Sequence, residues 1–281
     1  MKTKFFFLSL LLGIVNVFLA PALFAEDPLQ QFQGFNLQGY TDGGNKAWDV
    51  QGDTADVLGN TIKLTNIVAN SYGDQKVNLK AKRGNINKDN GNIHLERNVV
   101  ITTEEGAKLT TESLDWHRNE DLVKTDDFVT ITHEQMIATG TGVEAHPNMK
   151  LAQLNEDVTV QITPEKEETL PADKIIITCD GPMEIDQLKN SAVFNENVVA
   201  IQTGRQLKAD KMEVFFDAQA KKIQKVVCTG HVEVTQGENK SYSETAVYSA
   251  EDQKLTLTGR PKLIMSTEGG NDMNIFGNLS Q

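Results

Sequence analysis

The sequence predicts an all-β protein built from many short, evenly spaced strands. Three observations lead there. Glycine, asparagine and aspartate punctuate the chain at regular intervals. A two-part pattern of strand, turn and strand recurs along it. Beyond the N-terminal stretch, no window of about 12 residues sustains helical apolar spacing without a turn signal.

The first element is the N-terminus. Met1-Lys2-Thr3-Lys4 is a short basic start, and Phe5 to Ala25 holds no charge before the acidic Glu26-Asp27. Residues 1–25 are expected to be a secretory signal, cleaved near Ala25 or Ala22, or an uncleaved membrane anchor. Either way the rest of the chain is exported. An uncleaved segment would leave Lys2 and Lys4 in the cytoplasm.

The repeat follows. Its first part reads apolar-x-small-x-x-(small or apolar)-x-apolar. It appears as Val50-x-Gly52-x-x-Ala55-x-Val57, Leu79-x-Ala81-x-x-Gly84-x-Ile86 and Leu109-x-Thr111-x-x-Leu114-x-Trp116. Leu207-x-Ala209-x-x-Met212-x-Val214 is another clean copy. Met136 to Val143 and Ser243 to Tyr248 are looser ones. Period two runs to the small residue, slips by one and resumes. Such a slip requires a bend or bulge, or the side chains would change face.

The second part ends a polar turn in Asn, Asp or Gly and then turns β-branched, as in Asn66-Ile67-Val68, Asn98-Val99-Val100, Asp127-Phe128-Val129 and Asp157-Val158-Thr159. Asn197-Val198, Gly230-His231-Val232 and Gly259-Arg260-Pro261 complete seven copies, with the first part irregular in the one over 175–201. Measured from Ile67, Val99, Phe128, Val158, Val198, Val232 and Pro261, the steps are 32, 29, 30, 40, 34 and 29 residues. The long step holds Pro164, Glu165, Glu167, Glu168 and Pro171, which interrupt pairing. The expected organisation is residues 26–163 as a first module, 164–173 as a linker, 174–265 as a second module, and 266–281 as a polar tail with a last strand at Met273 to Phe276.

Clean alternation, as in Val158-Thr159-Val160-Gln161-Ile162, gives each strand one apolar and one wet face. Stacked units of this kind make a curved, elongated sheet with an apolar inside. That inside is either a filled core or an open groove for a lipid, since both demand the same alternation. The terminal edges of such a sheet invite strand pairing with a partner.

Composition excludes other classes. The net charge of −12 argues against a duplex-binding module, and no nucleic acid partner is expected. Two cysteines rule out a disulfide scaffold or a four-cysteine zinc site. Cys179 and Cys228 either pair as a disulfide or remain buried thiols. The five histidines share no spacing that would put two metal ligands on one element. No Gly-x-Ser-x-Gly elbow or Gly-rich loop opening a helix is present. No catalytic residue, cofactor or metal is expected, and the chain reads as a non-enzyme.

Two stretches then resemble known families. Asp180-Gly181-Pro182-Met183-Glu184-Ile185-Asp186, Ala192 to Val198, Leu207 to Met212 and Thr229 to Val234 resemble the OstA-like family, which includes LptA. Trp48 to Asp53, Val77 to Lys82 and Leu109 to Glu112 resemble the sister family, LptC. The resemblance implies an elongated, twisted antiparallel β-jellyroll of V-shaped section, in two stacked modules. It implies periplasmic transport of lipopolysaccharide, with the lipid A acyl chains held inside the V. The implied partners are other β-jellyrolls of the export pathway, paired edge to edge, and an inner-membrane ABC transporter complex. Groove positions on this reading are Val99, Ile101, Leu109, Trp116, Phe128, Val158, Val160, Phe194, Val198, Leu207, Met212, Val214, Val232, Val234 and Tyr248. Structural or adhesive use, with a filled core and no lipid, is the alternative.

Overall fold

The structure, a computed structural model, describes residues 30–72, 76–163, 174–217 and 222–266. The signal or anchor, the 164–173 linker and the tail beyond Ser266 lie outside these residues. Seventeen strands follow in chain order. The first nine are β1 (Gln30–Tyr40), β2 (Lys46–Leu58), β3 (Thr61–Tyr72), β4 (Lys76–Asn87), β5 (Ile93–Thr103), β6 (Lys108–His117), β7 (Leu122–His133), β8 (Met136–His146) and β9 (Leu151–Ile162). The rest are β10 (Ile175–Cys179), β11 (Met183–Asp186), β12 (Ser191–Gln202), β13 (Arg205–Phe216), β14 (Ile223–Gln236), β15 (Asn239–Ser249), β16 (Lys254–Thr258) and β17 (Lys262–Ile264). Among the described residues no helix is long and apolar enough to cross a membrane.

All seventeen form one antiparallel sheet, and from β1 to β9 each strand pairs with the next. β10 and β11 share one strand position between β9 and β12: Cys179 lies opposite Val158, and Met183 opposite Leu154. β16 and β17 likewise share the position beyond β15. Each repeat seen in the sequence is thus one hairpin of two long strands, which accounts for the spacing of about 30 residues at ~3.3 Å rise per residue. The irregular copy over 175–201 is the one whose first strand is broken into β10 and β11.

Nearly every strand turns a corner at its middle. On the odd-numbered strands β3, β5 and β9 the corner is made by left-handed residues: Asn66 (φ 48°), Arg97 and Asn98 (66° and 56°) and Asp157 (52°). Glu196-Asn197 do the same on β12 (64° and 52°), and Gly230-His231 on β14 (77° and 43°). Asn, Asp and Gly tolerate this region best, which is why the second part of the repeat carries them. On the facing strands the slip of one residue sits at the same level, with Ala81 and Gly84 both buried on β4. A Cβ on Gly84 would stand 2.6 Å from Ile67 Cδ1, so a larger residue there would require the Ile67 side chain to shift.

The inner face of the bent sheet holds two buried apolar clusters. The first contains Ala55, Ile62, Leu64, Ile67, Ala81, Ile86, Leu95, Val99 and Leu114. The second begins at Val129 and runs through Leu154, Val158, Phe194, Met212 and Cys228 to Ala246. The second cluster crosses 164–173 without interruption, because Ile162 pairs with Ile175 and Val160 with Ile177. The sheet is continuous from Ile162 to Ile175, and the step between the two clusters falls at β6 and β7.

Candidate functional site

The inner face is the candidate site, and exposure along each strand gives it a shape. Residues beside the corner are sealed: Val99 and Val198 are 0% exposed, and Val158, Val160, Val232, Phe194, Met212 and Val214 are at most 3%. Two residues further along the same faces, the side chains are half-buried. Ile101 follows Val99, Ile162 follows Val160, Val234 follows Val232, and Leu207 precedes Ala209. Trp116, Leu109 and Tyr248 are half-buried in the same way. The apolar surface therefore runs outward from a packed corner toward the strand ends, and remains apolar as it becomes accessible.

Fourteen of the fifteen expected groove positions lie on this inner face, in those two tiers. Phe128 does not. It is 60% exposed, while its neighbour Val129 is 0% exposed and takes the inward place. The cause is local. β7 has no left-handed residue at its corner, unlike β5 or β9. Its corner forms instead around Thr125, whose Oγ1 accepts a hydrogen bond from the Asp127 N–H at 3.1 Å. The ladder skips between Thr125 and Phe128 and sends Phe128 outward, opposite Thr141. Half-buried Ile131, Met136, Ile175, Ile185, Phe216 and Leu257 pack against the second cluster and were missed. The period-two rule, carried to the strand ends, would have found most of them.

Cys179 and Cys228 are both buried and free. They sit three strand positions apart along the sheet, about 14 Å at ~4.8 Å per strand, beyond the ~7 Å reach of a disulfide. Of the two states left open by the sequence, the buried thiol is the one found. Burial pushes the Cys179 thiol up to about 11 and the Cys228 thiol up to about 12. Cys179 Sγ also donates to the Gly181 carbonyl at 3.3 Å, inside the corner between β10 and β11.

Polar chemistry is kept mostly to the outer face. Asp49 is 8% exposed there. Burial opposes its ionisation, but donors from Lys46, Asn70 (2.7 Å) and Tyr72 (2.8 Å) outweigh it and hold the carboxyl below its ordinary range. His94 Nδ1 lies 2.7 Å from Asp115, and His231 Nδ1 lies 2.8 Å from Asp210. These are isolated pairs, and among the described residues no three ligating side chains converge on a metal position. Two buried threonines interrupt the inner face: Thr111 at 7% exposure and Thr125 at 3%. Thr111 Oγ1 has no hydrogen-bond partner.

The described strands thus form a single bent β-sheet with an apolar inner face, the architecture of an elongated β-jellyroll. Comparison with family models agrees. Residues 20–163, just over half of the 281, match the family described as lipopolysaccharide-assembly, LptC-related, and the chain belongs to that family. Residues 181–278 match a second, the LptA/(LptD N-terminal domain) LPS transport protein family. An LptC-like module followed by an LptA-like module is therefore present in one chain. A search of curated proteins finds no match.

Proposed function

We propose that this chain is a non-enzymatic periplasmic carrier that shields the acyl chains of lipopolysaccharide on its apolar inner face. It passes them from the inner-membrane transporter complex toward the outer membrane. The observation that supports this reading is the gradient on the inner face, sealed at the corner and accessible yet still apolar toward the strand ends. Burial there stabilises a hydrocarbon chain by about 0.8 kcal/mol per methylene. It is non-directional, so it holds a chain without fixing it and suits a ligand that must leave as well as enter. The two family matches supply the ligand class.

The sheet's ends supply the hand-over. Among the described residues β1 pairs only with β2, and β16 and β17 pair only with β15, so within these residues both terminal strands present unpaired edges. Phe32 on β1 is 45% exposed and Leu263 on β17 is 62% exposed. Further jellyrolls of the export pathway would add to these edges by strand pairing, which extends the inner face from one protein to the next. LptC-like and LptA-like modules joined in one chain would make one such junction covalent.

Photo-crosslinking in cells tests the reading, with a benzophenone amino acid at Ile101 or Leu207 and, as control, at Phe128. Lipopolysaccharide adducts at the first two and none at Phe128 are expected. Equal labelling at Phe128, or no adduct at Ile101 and Leu207 in folded protein, would overturn the groove in favour of a filled, lipid-free core.

A further inference from the structure

The two apolar clusters meet along a seam with three unusual features. First, β6 and β7 are paired at both ends but not at the corner. Lys108, Leu109 and Thr110 face Thr132, Ile131 and Thr130, and Asp115, Trp116 and His117 face Lys124, Val123 and Leu122. Residues 111–114 and 125–129 between them have no registered partner across this pair. Two unbroken neighbouring strands elsewhere skip no more than two residues on one side and three on the other, as between Lys80/Arg83 and their partners on β5. The long corner where the break between β10 and β11 faces β12 is closed by backbone bonds, including Asp180 N–H to Glu196 O at 3.0 Å and Asn195 N–H to Pro182 O at 3.2 Å.

Second, the seam crosses both strands inside this interval. On β6, Leu109 packs with the second cluster and Leu114 belongs to the first. On β7, Val123 packs with the first and Val129 belongs to the second. Third, two buried threonines, 111 and 125, lie at the crossing beside the buried Leu114 and Val129. Thr111 has an unpartnered hydroxyl where the matching corner positions of β4, β8 and β13 carry alanine, and Thr125 stands where β5, β9 and β12 carry leucine or phenylalanine. Close packing and paired backbone resist shear. Here the pairing is broken and the buried face made partly polar at one place.

We propose that the corners of β6 and β7 form a hinge about which the two apolar beds turn relative to one another. The strand ends stay zipped and act as two straps, while the unpaired corner absorbs the change in backbone angle. Ser113 Oγ donates to Asp127 Oδ2 at 2.7 Å across the gap and latches it on the outer face. The hinge lies inside the LptC-related half, about 40 residues before the linker. Its purpose rests on the lipid reading, because turning the beds changes whether the inner face is continuous for a bound chain. Its existence does not.

Two experiments on the whole chain test it without lipid. In hydrogen exchange, amides of 111–114 and 125–128 should exchange at least tenfold faster than those of 195–198 and 209–212 at the β12–β13 corner. Equal protection would overturn the hinge. In the second, spin labels are attached through ketone amino acids at Lys63 and Lys208, one on each bed. Their distance distribution should be broad, narrow when a Ser113→Cys/Asp127→Cys pair is oxidised, and broaden again on reduction. A control pair, Asp180→Cys/Asn197→Cys, replaces a 2.7 Å hydrogen bond at the other corner and should leave the width unchanged. A width that ignores the first staple, or answers both alike, would refute the proposal. Failure of the crosslinking in the previous section would leave these readouts untouched.

Discussion

The first and second apolar beds are made by the same repeat yet differ in depth. The first is sealed by nine side chains, all alanine, valine, leucine or isoleucine, and several retain 7–8% exposure. The second has eighteen, adds Phe194, Met183, Met212 and both cysteines, and most are at 4% or below. With roughly twice the buried residues, the second bed is expected to be the more stable of the two. Periodicity sets which residues face inward. The volume of those residues decides how firmly the two layers of the bend are held together.

The sharpest way to break this comparison is Val160→Asp. Val160 is 2% exposed in the second bed, and an uncompensated carboxylate there should cost more than about 4 kcal/mol. Hydrogen exchange should show protection lost over 129–246 and retained over 55–114. Simultaneous loss in both would mean that the beds are one cooperative unit.

Alkaline pH gives a smaller and graded effect. Both thiols titrate higher in the folded protein than the ~8.5 of a free cysteine. Above that value the unfolded state ionises first, so stability is intact below about pH 9 and declines as pH rises toward 11. The slope is about 1.4 kcal/mol per pH unit for each cysteine. Denaturant titrations between pH 8 and 10.5 should show this decline, and a Cys179→Ala/Cys228→Ala variant should show a shallower one. An unchanged slope in that variant would mean that the thiols are not sealed.

The smallest effect is expected from deleting Glu165 to Glu168. Ile162 and Ile175 are already paired, so a shorter connection still closes, and the change should stay within about 0.5 kcal/mol by thermal or denaturant melting. Loss of cooperative unfolding would show that 164–173 does more than connect.

The corner signature was legible because it is chemical. Asn98, Asp157 and Asn197 adopt a backbone region that few other side chains accept, and the slip at Ala81 and Gly84 reports the same bend from the facing strand. Most of the inner face followed from it. Phe128 was misplaced because its copy has an aspartate at the expected position without the left-handed backbone. Thr125 forms the corner by a side-chain bond, and no pattern of residue types distinguishes the two.

By itself, then, the sequence determined the all-β class, the repeating hairpin, the corner in most strands and most of the residues that face inward. These depend on neighbours along the chain: side-chain alternation, turn chemistry and left-handed tolerance. The tertiary structure decided what depends on neighbours across the sheet. It joined β9 to β10 in one sheet with one shared core, kept Cys179 and Cys228 apart, and turned Phe128 outward. It also placed the seam within β6 and β7, because register and packing between strands are properties of pairs that no single strand encodes.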